Sequence, residues 1–237
     1  MKAVLLRVGI DAGAGGINGP LFSDHTFEYI PIPDYSGFDA RTYGNTEGRY
    51  GRKLIEYFPH FGHSKHCNQA IHFDPEFESF TYGDPTSLKS RLRCLEKGDY
   101  LIFYCGLEGY DFKSEPALYI MGYFEVDVAA KAEDFSNDQL QALFSTNFHV
   151  RHDKIFSKQK YRLVLVKGTQ NSRLLSKAFK ISEYGQDRQG KPLKVISREM
   201  QEIFGDFGGK ISIQRSSPRW IAPAYVDKTV TFIKSLV

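Results

Sequence analysis

The chain has 237 residues, 41% of them hydrophobic and 25% charged. These values suit a folded soluble domain and exclude a disordered chain, which combines low hydrophobicity with high net charge. The 31 Lys and Arg nearly balance the 28 Asp and Glu, and no run of about 18 apolar residues marks a membrane span.

The opening AVLLRVGI (3–10) has the length of a strand. It is too short for a signal peptide. With only three cysteines, too few for a disulfide framework, a cytoplasmic protein is expected. A glycine-rich turn, DAGAGGINGP, covers 11–20. FEYIPI (27–32) alternates, but Pro31 and the following Pro33 make it an edge strand or the end of one. Residues 33–70 are polar, aromatic and weakly periodic, the character of a functional or mobile insert.

SLKSRLRCLE (87–96) predicts a short helix or helical turn, with Gly98 as its stop. YLIFY (100–104) and ALYIMGYFEV (117–126) predict a hairpin. SNDQLQALF (136–144) predicts a helix with a Ser136–Gln139 capping box. RLVLV (162–166) reads as a strand and 171–179 as a short helix. Ser197 predicts a cap over 198–204, and DKTVTFIKSL (227–236) a closing helix. No repeat or low-complexity linker divides the chain, so one α+β domain over 1–237 is expected. Clustered strands and few helices predict a mixed, mostly antiparallel sheet with peripheral helices, or a partly closed barrel. The high content of Phe and Tyr, 19 and 14, agrees with a strand-rich fold.

Four segments carry candidate chemistry. Gly13, Gly15 and Gly16 lack the helix that a dinucleotide loop must open, since Asn18, Gly19 and Pro20 end the run. What is left is a tight loop open to close ligand approach, flanked by Arg7 and Asp11, or a plain turn. His60, His63, His66, Cys67 and His72 have zinc-like spacing but no paired CxxC element, so a surface histidine-rich loop is the expectation, with His72 standing apart. His72 precedes Asp74, Glu76, Glu78 and Asp84, which suits a general base with an orienting acid, a magnesium site or a turn. Tyr82, Gly83 and Asp84 stand just ahead of Lys89, Arg91 and Arg93, and NFHVRH places Asn147, His149, Arg151 and His152 together.

Charge is segregated. Residues 154–219 hold 15 Lys and Arg against 5 Asp and Glu, the pattern of a surface for phosphate or a polyanion. Within it, Lys167, Gly168, Ser172 and Arg173 follow a strand and open the predicted 171–179 helix, whose N-terminus would attract an anion. No G-x-S-x-G elbow is present.

LLRVGIDAGAGGINGPLF with FEYIPIPD, then HFDPEFESFTYGDP, LRCLEKGDYLIFYCGL with LYIMGYFEV, and VLVKGTQNSRLLSKAFKIS follow one another over about residues 4–182. In this order they resemble the third type of nucleotide-modification-associated domain. The resemblance implies an α+β fold and a link to systems that modify bases in DNA; it fixes no reaction. KGDYLIFYCG with ALYIMGYFEV is similar to the strand pair of PUA- and EVE-like barrels, which bind RNA or a flipped modified base.

Two functions are carried forward. In the first, the protein acts on a nucleotide or on a base in DNA. His72, Asp74, Asp84 and Asp11 are then the candidate catalytic residues, and Arg7, Lys167, Ser172, Arg173 and Arg151 the phosphate-binding ones. In the second, it reads modified DNA or RNA without chemistry. Tyr82, Tyr104 and Tyr123, with Tyr119 nearby, would then stack on bases or fill the barrel. The expected partner is a nucleotide or nucleic acid, DNA before RNA. No cofactor, metal-ligand set or oligomeric state is assigned.

Overall fold

The computed structural model describes residues 1–11, 16–187, 189–214 and 217–237. Gly13 and Gly15 of the glycine-rich turn lie outside the described residues. The chain enters through β1 (Ala3–Arg7), whose first four side chains are fully buried. β2 (Gly19–Leu21) follows. The two-residue strands β3 (Ile32–Pro33) and β4 (Ile71–His72) pair antiparallel and close off the long segment between them. The strand expected over 27–32 reduces to a Leu21–Phe27 bridge and the start of β3. Pro31 and Pro33 have no N–H to give a ladder.

β5 (Thr81–Asp84) is a buried strand where the Gly-Asp-Pro signal predicts a turn. β6 (Tyr100–Gly109) and β7 (Ala117–Lys131) form the predicted hairpin, longer at both ends. Gly98 precedes it with φ 86°, a conformation costly for any residue with a Cβ. β8 (Val164–Gly168) agrees with expectation. β9 (Arg173–Lys180) does not: the helix expected over 171–179 is a strand paired to β7. The backbone of Tyr119–Tyr123 needs a partner on that edge, and the ladder overrides local helix propensity. β10 (Ser182–Gln186) and β11 (Pro192–Ile196) make a separate hairpin, and β12 (Arg219–Trp220) caps β1.

The main sheet runs β12-β1-β6-β7-β8-β5, with β2 beside β6 and β9 beside β7. β1 and β2 lie parallel to β6, and every other pair is antiparallel. The order ends on β12 and β5, and among the described residues no ladder joins them. The α+β, mostly antiparallel sheet is therefore as expected, but it is open, and a PUA-like barrel is not what these ladders form.

β1 covers Tyr100–Tyr104 and β2 covers Leu107–Gly109 on one edge of β6. Arg7, Val8, Gly9 and Asp11, at and just beyond the end of β1, line a cavity. Helices are few and short. α1 (His63–His66) lies in the histidine-rich segment. α2 (Asn137–Phe144) has the predicted box, with Ser136 Oγ accepting from Gln139 and Gln139 Oε1 accepting from the Ser136 amide. α3 (Phe148–Arg151) and α4 (Asp153–Gln159) follow. α5 (Arg198–Phe204) is capped by Ser197 as expected, and α6 (Pro223–Lys234) closes the chain. Among the described residues no helix is long and apolar enough to cross a membrane.

The main core joins Val4, Leu6, Ile102, Phe103 and Phe124 of the sheet with Met200 and Phe204 of α5 and Val230 and Ile233 of α6. The 33–70 segment has a core of its own, in which Ile10, Tyr43, Leu54, Phe58 and Ile71 are buried. It is a built wall of the molecule, although its sequence shows little periodicity.

Candidate functional site

The cavity beside the end of β1 has a volume of about 450 Å³. Its polar lining comes from five separate stretches: Arg7 and Asp11, His72 and Asp74, Tyr82 and Asp84, Lys89, and His149. The size lies within the range of small-molecule sites, and convergent titratable side chains in one concavity are the usual mark of a functional site.

Asp84, at the end of β5, is held from several sides. Lys89 Nζ donates to its Oδ2 at 2.8 Å, and the Tyr82 hydroxyl donates to the same oxygen at 3.2 Å. The Thr86 amide and hydroxyl donate to Oδ1. Burial pushes this carboxyl up, but the Lys89 ammonium and the Thr86 donors outweigh it and hold Asp84 below the ordinary value. It is a fixed anion that positions Lys89. Burial, then the nearby Asp84 and Asp74, push the Tyr82 phenol well above its ordinary value, so it stays a donor. On the other wall Arg7 pairs with Asp11 at 2.7 Å.

His72, Asp74 and His149 form a second group. Their donor atoms all lie within 4.8 Å of one another. Asp74 Oδ2 is 3.8 Å from His72 Nε2 and 3.6 Å from His149 Nε2. Asp74 Oδ1 accepts from the Gly83 amide at 2.9 Å, which turns Oδ2 toward both imidazoles. Gln159 Oε1, which can only accept, lies 2.7 Å from His149 Nδ1. Nδ1 therefore carries a proton, and Nε2 is the ring nitrogen that faces Asp74. His72 stacks on Phe148 with ring centroids 3.8 Å apart. Its Nε2 is buried and has no hydrogen-bond partner among the described residues.

Burial first, then His149 and the cations Arg41 and Lys89, hold His72 well below the ordinary histidine value. Burial pushes Asp74 up, opposed by the nearby His149 and the Gly83 amide. The local fold explains the placement of His149. Asn147 caps α3 by accepting from the His149 amide at 3.1 Å, and its own amide reaches Thr81 on β5. Gly83 lets this helix lie against the strand: a Cβ there would meet His149 Cδ2 at 2.9 Å.

Six of the residues expected from sequence thus meet: Arg7, Asp11, His72, Asp74, Tyr82 and Asp84. The other six do not line this cavity. Lys167 donates to the Ser79 carbonyl. Ser172 is buried in a turn, its amide donating to Thr169 O, and Arg173 bonds the carbonyls of Gln170 and Ser172. Because 173–180 is a strand, there is no helix start after Gly168, and the anion argument for these residues loses its basis. Arg151 forms an ion pair with Asp39 and so ties α3 to the 33–70 wall. Tyr104 is fully buried with its hydroxyl on Ile213 O, and Tyr123 is buried against Tyr100, so neither offers a face to a base. Tyr82 lines the cavity, but its ring is buried too.

Sequence reasoning left out His149, Lys89 and Gln159 as site residues. NFHVRH carried a signal for the first, an Asn that can cap with a histidine two residues on. His60, His63, His66 and Cys67 belong to no such donor group; among the described residues His72, Asp74 and His149 are the one set of three.

A family model described as nucleotide modification associated domain 3 matches residues 2–232. The chain belongs to this family. Neither the curated proteins nor the solved structures include a match. Every residue lining the cavity of this nucleotide modification associated domain falls within the matched span.

Proposed function

We propose that the cavity is the active site of a protein that modifies a nucleotide or a base of a nucleic acid. One observation carries the reading. In a member of a nucleotide-modification family, paired cations (Arg7 and Lys89) and a His–Asp–His group line one cavity of nucleotide size. Arg7 and Lys89 would hold the anionic part of the substrate, each kept in place by a carboxylate. The His72–Asp74–His149 group would carry the chemistry beside the substrate, by proton transfer or through a bound ion. Tyr82 and the Asp84 network would fix the base edge.

Mass spectrometry of nucleosides tests this. DNA, RNA and the free nucleotide pool are compared between cells making the wild-type protein and cells making His72→Ala or Lys89→Met. The reading expects a modified nucleoside that depends on both side chains. Identical nucleosides in all three would remove the cavity from the chemistry.

A second reading, binding without chemistry, is favoured by a specific surface. Arg93, Lys131 and Arg162, with the exposed Tyr161, line a hollow of about 530 Å³ that shares Pro85 with the cavity. Cations interleaved with an aromatic ring suit a single strand. Affinity for DNA or RNA oligonucleotides would then fall steeply with salt as counterions are released. A flat salt response counts against it.

A further inference from the structure

We propose that His72, Asp74 and His149 bind a divalent transition-metal ion through His72 Nε2, Asp74 Oδ2 and His149 Nε2, with the remaining coordination positions open to the cavity. The ion site stands on its own ligands; that the ion would act on a nucleotide rests on the function proposed above.

The distances separate this reading from a hydrogen-bonded acid–base group. At 3.6 and 3.8 Å the two imidazoles are too far from the carboxylate for good hydrogen bonds. Yet two donors that each sit about 2.1 Å from a tetrahedral ion are about 3.4 Å apart, within a few tenths of both values. The third separation is within 4.8 Å.

Orientation is the second observation. Each donor is aimed by a contact that leaves the metal-facing atom free. Gly83 takes the other oxygen of Asp74, and Gln159 takes the other nitrogen of His149. Phe148 fixes the plane of His72. Outer partners of this kind are what set ring orientation and tautomer at metal-bound histidines. His72 Nε2 is buried and without a partner among the described residues, which is costly for a polar atom unless something else binds it.

Donor chemistry selects the class of ion. Two imidazole nitrogens and one carboxylate suit zinc or ferrous iron, whereas magnesium prefers an all-oxygen shell. Three protein ligands with open positions make a catalytic type of site, since a closed structural site uses four.

The test is a metal titration of the full chain after chelator treatment and dialysis. Cobalt(II) serves as the visible probe, and zinc(II), iron(II) and magnesium(II) as competitors. The wild-type protein is expected to take up a single tight equivalent of cobalt. Its absorption should be displaced by zinc and left unchanged by a comparable magnesium concentration. Metal should also raise the melting temperature, because it binds only the folded state. Asp74→Asn and His149→Ala, checked for a cooperative melt, should bind at least about 10–100-fold more weakly. His60→Ala with His63→Ala, in the neighbouring histidine-rich segment, should bind like wild type.

No tight equivalent in the wild type overturns the proposal whatever the variants do. So does cobalt binding that survives His149→Ala, or binding lost only in the His60/His63 variant. The titration contains no nucleotide, so its failure removes the ion and leaves the nucleotide reading to the nucleoside comparison.

Discussion

The amide of Gly83 donates to Asp74 Oδ1 at 2.9 Å, and this bond decides which carboxylate oxygen faces the two histidines. The same glycine sits under α3, where a Cβ would come within 2.9 Å of His149 Cδ2 and 3.0 Å of Asn147 Oδ1. Gly83→Ala is therefore expected to displace α3 from β5. Overpacking of this kind costs about 1–3 kcal/mol. Chemical denaturation should show a loss of that size, together with weaker cobalt binding. Wild-type values for both would mean that α3 does not need this close approach.

Gln159 is not among the residues that line the cavity, and it holds His149 through Nδ1. Gln159→Leu should weaken metal binding by about 10–100-fold, while the melt stays cooperative. Gln159→Glu, which keeps an acceptor, should restore most of the affinity. A purely structural Gln159 would change stability in both variants and affinity in neither.

Lys89 and Asp84 pair at 2.8 Å in the cavity wall, both side chains largely buried. Lys89→Met leaves a largely buried carboxylate without its ammonium, and the expected cost at pH 7 is about 1–3 kcal/mol. The pH dependence has a fixed sign. In the wild type Asp84 is held below its ordinary value, so its contribution is present above the unfolded value and is lost as pH falls through the folded one. The difference between wild type and variant should thus be largest near neutrality and shrink as pH drops below about 4. Denaturation series at several pH values measure it. A constant difference would show that Lys89 acts through packing of its stem.

The three thiols should separate by reactivity. Cys94 is exposed, Cys67 partly covered and Cys105 buried. Burial pushes the Cys105 thiol up to about 12, and the thiolate is the reactive form. With a thiol reagent at neutral pH, Cys94 should react first, Cys67 more slowly, and Cys105 only on unfolding. Early modification of Cys105 would contradict the buried placement of β6.

Strong local signals survived folding. The hairpin of β6 and β7, the Ser136–Gln139 box and the Ser197 cap were legible because each depends on a few neighbouring residues. β9 was not legible, because the ladder of β7 decides its conformation. β5 was hidden for the same reason: its buried TYGD gains strand geometry from pairing with β8.

The site divides similarly. His72, Asp74 and Asp84 cluster in sequence, and Arg7 and Asp11 flank a glycine-rich loop, so all five were readable. His149 and Gln159 lie 75 or more positions beyond Asp74, and only the docking of α3 on β5, with α4 packed on α3, brings them near. Lys167 and Arg173 show the converse, since residues suited to phosphate lost their helix start.

The most direct test of the central claim is cross-linking of a photoactivatable nucleotide to the full-length protein, with the attachment point mapped by mass spectrometry. A nucleotide that occupies the cavity should label peptides covering 72–89 or 147–152, and Lys89→Met or excess unlabelled nucleotide should suppress that label. Labelling confined to the basic stretch 173–219, or unchanged by Lys89→Met, would contradict an active site in this cavity.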